Sequence, residues 1–505
     1  MTELNLDSMT TDFGNERRML YLYPGDLLYD TPNKQWYLWN EKTGIWERDT
    51  KGQVAELVKE MIRGIQTEAA AMQTRAEAID TSTTEGIEKA LALKGIAEAL
   101  LKWAHKCQNP TRVEACLKLV QSSVAVLPDD FNRDNHLFNC HNGTLNLKTM
   151  QLVPHNKDNR ITFSCGWDYN PKAKCPKFQA FISRLFEHHK EKNDLIRFVQ
   201  MALGYCLSGD TDQQPIEMLI GPGMNGKSVL LASMAVSFGD YAGTLNGESL
   251  TTTSRGKVRE DLAQLVGKRF VSVSEVGKGS TIDEEVVKHV TGGSREPLKV
   301  RKFYGSFFDF FPKCKIFWSF NHLPKVQDMT HSLWRRIKVV PFEEVISDAE
   351  KREMNEIISE HDEERSGILN WLIAGFNDLI KTGNFNWCNA VKTRTNEYKE
   401  DVDDLKPFMD EVLERWIPAE HIDQIMPLDF KEKASVVHDC YLGWAFEHGY
   451  TRPKSLTEFG TEITERIGRE NKERSGSGIY YLGLKIKAGI KYENPRKLQM
   501  QRLRD

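Results

Sequence analysis

The 505 residues contain no apolar run of the length that a bilayer crossing needs. The first residues carry Asp, Glu and Asn where a secretory leader needs a basic start and an apolar stretch. The expectation is a cytoplasmic protein with no membrane partner. Cysteine pairs are missing too. The nine cysteines are scattered, with no CxxC and no Cys/His spacing suited to zinc, so buried free thiols in a reducing compartment are expected. No internal repeat or low-complexity segment stands out. Net charge is only −4, which by itself speaks against a nucleic-acid binder.

What is present is ordinary in bulk and uneven in detail. An apolar fraction of 40% and a charged fraction of 28% suit a globular chain, and a prior of about 150 residues per domain implies three or four domains. Positive charge is concentrated in two places. Residues 299–315 hold Lys299, Arg301, Lys302, Lys313 and Lys315 against Asp309 alone, and residues 451–505 hold 13 Lys/Arg against 7 Asp/Glu, while 343–364 is acidic.

Residues 36–39 and 45–47 flank a turn and predict a β-hairpin, in which Trp36, Trp39 and Trp46 are expected to pack across strands rather than stack bases. Segments 54–65, 86–106 and 112–122 have helical apolar spacing. His141-Asn142-Gly143-Thr144 reads as a turn between short strands, and Tyr169-Asn170-Pro171 as a boundary. From Ile216 the pattern alternates between strands (216–220, 270–273, 316–320, 337–340) and helices, which implies an α/β unit with a mostly parallel sheet. Helices return over 353–380. Ser455-Leu456-Thr457-Glu458 is a capping-box pattern, and the helix, turn and strand that follow suggest a winged helix-turn-helix.

The chemistry is concentrated in one octapeptide. Gly221-Pro222-Gly223-Met224-Asn225-Gly226-Lys227-Ser228 matches the phosphate-loop pattern GxxxxGK[ST] completely, after an apolar strand and before a helix. Glycines let the backbone wrap phosphates and aim its N–H groups inward, where a helix dipole adds to them. Lys227 can then reach the β- and γ-phosphates of ATP, and the Ser228 hydroxyl can ligate Mg²⁺. A Gly-rich turn ending in Lys-Ser by chance is the competing reading, and the full match outweighs it.

Three downstream features separate a translocase from a kinase. Strand 270–273 ends near Glu275, which beside the loop could hold the magnesium water and orient or deprotonate the attacking water. Strand 315–320 is tipped by Asn321, whose amide can bond that water and the γ-phosphate; a plain Asn-Pro turn is an equal alternative. Leu333-Trp334-Arg335-Arg336-Ile337 offers an arginine for a neighbouring subunit's nucleotide, against a surface pair covering an aromatic.

The series GPGMNGKS, FVSVSE, KHVTGG, FWSFNHLP and LWRRI resembles superfamily 3 helicases, specifically the phage/plasmid primase-helicase group related to poxvirus primase-helicases. Asn142-Gly143-Thr144-Leu145, Asp168-Tyr169 and Leu203-Gly204-Tyr205 resemble its region upstream of the motor, and 446–484 its C-terminal end. The resemblance implies that Lys227 and Ser228 serve ATP and magnesium, that Glu275 is the Walker B acid and Asn321 the polar sensor. It makes Arg336 the arginine finger, with Arg335 second. Lys288, Thr291, Gly292 and Gly293 match the start of a further motif leading into a hairpin that projects into a central channel. Ser294 departs from the family's acid there, and the spacing to Arg301-Lys302-Phe303-Tyr304 is about two residues longer, so the channel residue is not fixed by the pattern.

Hexameric translocases grip strand phosphates from within the channel. Lys299, Arg301 and Lys302 suit that role, against a solvated basic hairpin. Phe307, Phe308, Phe310 and Phe311 are expected in the core. The winged helix is expected to bind duplex DNA or to dock an assembly partner, with equal weight.

The expected architecture is an α/β P-loop ATPase, AAA+-like with a mostly parallel sheet, between a mainly helical N-terminal region and a C-terminal winged helix. The boundaries are 1–125 hairpin and helices, 126–190 connector, 191–345 motor, 346–400 helical lid and 401–505 winged helix. The expected function is an ATP-dependent, ring-forming DNA helicase, as a homo-oligomer with a hexamer expected, in replication of a phage, plasmid or related element in its host's cytoplasm. A separate primase or initiator is a candidate partner. The alternatives are a primase-helicase and an ATP-switched origin-binding initiator without strand displacement. Primer synthesis needs clustered carboxylates, and Asp401, Asp403 and Asp404 read as a solvated connector instead.

Overall fold

The computed structural model describes residues 9–255, 259–292, 297–301, 307–327, 329–416, 427, 430–450 and 453–495. The N-terminal part begins with α1 (Asp12–Leu22), opened by the Thr11 side chain accepting from the Gly14 amide. Strands β1 (Leu27–Asp30), β2 (Gln35–Asn40) and β3 (Ile45–Arg48) form a meander, and β4 (Ala125–Val126) adds in parallel to β1. Trp39 faces Trp46 across β2 and β3 with ring centroids 5.7 Å apart, the cross-strand packing expected of them. Helices α2 (Gln53–Glu77), α3 (Thr84–Cys107) and α4 (Pro110–Ser123) close a core that includes Met19, Leu27, Val58, Leu100 and Cys116.

A small antiparallel sheet follows, of β5 (Leu137–Cys140), β6 (Gly143–Asn146) and β7 (Gln151–Val153), then α5 (Pro176–Arg184) and α6 (Lys192–Tyr205). The Asn-Pro turn at 170–171 is exposed, whereas the residue before it points into the core. Tyr169 is buried and its hydroxyl donates to Asn370 Oδ1 at 2.8 Å.

The central sheet has the order β14-β8-β13-β10-β9 and is parallel throughout. Its strands are β8 (Ile216–Ile220), β9 (Ala242–Leu245), β10 (Phe270–Val273), β13 (Lys315–Phe320) and β14 (Ile337–Pro341). A strand covered on both faces needs apolar residues on both, which is why four of the five are mostly apolar, each with only one or two polar or charged residues. Helix α7 (Lys227–Phe238) follows β8, and α8 (Glu284–Gly292) leads toward the hairpin of β11 (Leu298–Arg301) and β12 (Phe307–Phe310). The short α9 (His331–Trp334) precedes β14, and α10 (Met354–Glu363), α11 (Arg365–Thr382) and α12 (Asn389–Asp401) come after it. One face of the sheet shares a core with β5, α6, α7 and α11 through Leu219, Phe317 and Val340. The other packs against α8, β11 and Tyr398 of α12 through Met218, Val271 and Trp318.

The hairpin corrects one expectation. Phe310 is buried, but Phe307 and Phe311 are 57% and 49% exposed. Successive residues of a strand face opposite ways, so a run of phenylalanines in a two-stranded ribbon cannot all turn inward.

The C-terminal part comprises α13 (Lys406–Val412), β15 (Leu413–Arg415), β16 (Lys431–Lys433), α14 (Ala434–Glu447), α15 (Leu456–Ile467), β17 (Lys472–Ser475), β18 (Gly478–Leu482) and β19 (Leu484–Ile486) around its own core. Ser455 and Glu458 form the capping box reciprocally at the start of α15. Of the acidic connector, Asp401 is exposed as expected, but the other two acids are paired. Asp403 meets Arg466 of α15 at 2.6 Å and Asp404 meets Lys454 at 3.2 Å, so the charges bind the C-terminal unit to α12. All nine cysteines are free and buried. Among the described residues no helix is long and apolar enough to cross a membrane.

Candidate functional site

Parallel pairing aligns the carboxyl ends of three strands. Phe320 of β13 pairs with Ile220 of β8, and Val273 of β10 with Trp318 of β13. Gly221, Glu275 and Asn321 therefore leave the sheet at the same edge, where open parallel sheets take their ligands.

The loop between β8 and α7 is shaped by exclusion. A Cβ on Gly221 would lie 1.9 Å from the Phe342 carbonyl oxygen, so the backbone can approach β14 only without a side chain. Met224 and Gly226 take positive φ of 60° and 78°, and the chain turns through them into α7. Asn225 is buried and donates through Nδ2 to the Phe342 carbonyl at 3.0 Å.

Lys227, the first residue of α7, bends back over the loop. Its Nζ donates to the Gly221 carbonyl at 2.8 Å, to Asn225 Oδ1 at 3.0 Å and to the Pro222 carbonyl at 3.3 Å. Burial pushes its ammonium down to about 8, against the pull of the Glu275 charge. Ser228 is exposed on the cleft. Glu275 and Asn321 grip each other: the Asn321 backbone N–H donates to Oε1 and its Nδ2 to Oε2, both at 2.9 Å. The sheet thus brings together Lys227, Ser228, Glu275 and Asn321 around one loop.

The cleft beside them, about 800 Å³, has walls that motif reading missed. Lys177, Ala180 and Phe181 of α5 line it together with Ile346, Ile357 and His361, whose ring centroid lies 5.0 Å from that of Phe181. His361 is buried, 2.8 Å from Ser233 Oγ through Nδ1 and edge-on to Phe178, and burial lowers its pKa. It ties α10 to the helix that follows the loop. Arg184 and Glu350 meet at 2.9 Å at the rim. A second cleft of about 830 Å³ opens past the loop, lined by Gly221, Asn321, Glu343, Arg394 and Asp401. In the sequence these walls carry no motif; Pro176 at the first position of α5 is the nearest signal.

The arginine pair lies at the opposite edge. The Arg336 carbonyl accepts from the Ile216 amide, at the first residue of β8, roughly 16 Å from the loop at 3.3 Å per strand residue. Arg336, expected as the finger, is buried, and its Nε donates to Thr291 Oγ1 at 3.1 Å. Arg335 is the exposed member. Of the two guanidinium groups, that of Arg335 is the one open to solvent, while that of Arg336 is anchored to α8 of its own chain.

Of the basic hairpin residues, Lys299 is exposed opposite Asp309. Arg301 pairs with Glu260 at 3.0 Å and lies over the Phe307 ring. Lys302, Phe303 and Tyr304, like Gly293 and Ser294, lie outside the described residues.

A parallel sheet with a glycine-rich strand–loop–helix at its carboxyl edge and a helical N-terminal region define a mixed α/β protein. Residues 16–187 match the family model described as "D5 N terminal like", and residues 219–336 match "Family of unknown function (DUF5906)". "Putative helicase L207/L206" of Acanthamoeba polyphaga mimivirus is 25% identical over 215 residues, 42% of this chain and 22% of that protein. "Putative helicase V13" of Sputnik virophage is 24% identical over 302 residues, 55% of this chain and 36% of that protein. The chain spans well under half the length of these relatives. An apo structure of the NrS-1 C terminal region aligns over 92% of this chain and 98% of its own, at 12% identity and a TM-score of 0.46. The family models and the viral relatives named putative helicases together support a likeness to the phage and viral primase-helicase family.

Proposed function

We propose that the chain is an ATP-driven DNA helicase motor of superfamily 3 type, with a P-loop ATPase core that works as a ring. The observation that carries this is the convergence of Lys227, Glu275 and Asn321 on the loop 221–228 at the mouth of the cleft.

The residues fit ATP with Mg²⁺. The Lys227 ammonium is held by loop oxygens, Gly221 leaves room only for backbone, and the Ser228 hydroxyl is open to the cleft. Mg²⁺ bound with the nucleotide would neutralise charge between the β- and γ-phosphates, held through Ser228 and the Glu275 carboxylate. Lys227 exchanges its loop carbonyls for phosphate oxygens. Glu275 takes the proton of the attacking water and Asn321 orients that water, a division that their mutual hydrogen bonds pre-align. Phe181, Ile346 and Ile357 offer apolar surface to the nucleoside. The missing positive charge comes from a neighbouring copy, through Arg335 at its opposite sheet edge.

DNA is the proposed substrate, gripped at the β11–β12 hairpin through Lys299, Arg301 and Lys302. The C-terminal unit is proposed as a winged helix, and α15 favours docking over major-groove reading: its exposed face carries Glu458 and Glu465, which repel phosphates, while Lys472 and Arg474 lie on the wing.

Lys227→Ala should abolish both ATP hydrolysis and unwinding of a forked DNA, with origin-duplex binding retained. Undiminished hydrolysis by that variant removes the site assignment. Hydrolysis without strand displacement by the wild-type chain favours an ATP-switched initiator instead.

A further inference from the structure

Gln214 stands two residues before β8 and has a φ of +52°, in the left-handed region that non-glycine residues seldom occupy. It is buried, and its backbone N–H closes a turn onto the Thr211 carbonyl at 3.0 Å, where a positive φ usually calls for glycine or asparagine. Its side chain accounts for the glutamine. Gln214 Oε1 accepts from Arg335 Nη2, and Gln214 Nε2 donates to the Gly292 carbonyl at 3.3 Å. A primary amide is the group that can do both at once, accepting from a guanidinium and donating to a carbonyl. Strain kept at one position to aim one side chain is characteristic of functional sites.

The two partners matter. Arg335 is exposed at the sheet edge away from its own loop, and a free arginine there would sample many rotamers. Gly292 ends α8, six residues before β11 of the basic hairpin. A parallel tie runs alongside: Arg336 Nε donates to Thr291 Oγ1 at 3.1 Å, and Thr291 Oγ1 donates to the Val287 carbonyl at 2.7 Å. Arg336 is thus bonded to the last turn of α8 directly, and Arg335 only through Gln214.

We propose that Gln214 is a positioning residue, whose amide holds Arg335 ready for the nucleotide of a neighbouring copy and links it to the end of α8. The inference rests on the proposal that Arg335 acts on a neighbour's nucleotide. Gln214 itself touches no nucleotide.

The test uses the full chain and ATP turnover. Gln214→Gly removes the amide while glycine takes the positive φ freely, so the variant should fold and melt near the wild type. Its kcat should fall by up to about 100-fold, the cost of a misplaced catalytic group, with KM for ATP little changed. Mixing decides whose site is affected. Gln214→Gly chains mixed with Lys227→Ala chains should regain turnover, since one supplies an intact loop and the other a well-held arginine. Gln214→Gly mixed with Arg335→Ala should not. Wild-type kcat in Gln214→Gly, or rescue by Arg335→Ala, overturns the role of Gln214. If instead Arg335→Ala is not rescued by Lys227→Ala, the shared-site reading fails and this inference falls with it.

Discussion

Neighbouring residues of one type do different work when burial separates them. Arg336 is fixed inside the chain by Thr291 and the Ser332 carbonyl, and Arg335 is exposed. Arg336→Ala should cost about 2 kcal/mol, the worth of hydrogen bonds from a buried charge, read as a lower Tm. Arg335→Ala should lower Tm less than Arg336→Ala does and lower turnover on the order of 1,000-fold. The reverse pattern would return the catalytic role to Arg336. Glu217 on β8 is a second residue where burial decides. Its carboxylate is buried with no hydrogen-bond partner among the described residues, and desolvation raises its pKa from 4.5 to about 8 against the pull of the Lys338 charge on the neighbouring strand. The folded chain keeps a proton that the unfolded chain releases above 4.5, so this group costs stability as pH rises through that window, most above about 8. Glu217→Gln should therefore raise Tm at pH 8 and change it little at pH 5. An equal gain at both values would mean that packing, not ionisation, is responsible.

At the scale of elements, legibility follows covering. Strands β8, β10, β13 and β14 are buried on both faces and read as mostly apolar runs, whereas β9 at the sheet edge contains Gly243 and Thr244 and gives no such run. The loop 221–228 is legible because phosphate chemistry restricts consecutive positions. The cleft walls are not, because Phe181 and His361 lie on either side of the loop in sequence and meet only through the shared core. The same limit hides the partners of Asp403 and Asp404, which are some 50 residues or more away on α15 and at Lys454. Arg466 and Asp403 have side chains 19% and 13% exposed, so the pair is largely desolvated. Asp403→Asn should cost about 1–2 kcal/mol, below the figure for a fully buried pair. Limited proteolysis should then cut faster between α12 and α13. Unchanged cutting would show that apolar packing alone holds the unit, through Leu405 and Phe408.

For the whole molecule, a net charge of −4 conceals a division of surface. Strand β17 carries Lys472 and Arg474, strand β11 carries Lys299, and the exposed face of α15 is acidic. Polyanion and protein partners can thus be met by different surfaces of one chain, with salt weakening the former far more than the latter.

Strand β14 reaches from Arg336, at one edge of the sheet, to Phe342, whose carbonyl is bonded to Asn225 and abuts Gly221 at the other. In a closed ring such a strand would work as a pushrod: whatever seats the arginines against the next molecule's nucleotide also presses on the cradle of its own. Firing would then pass around the circle in order, each chamber primed by the one it has just helped to discharge.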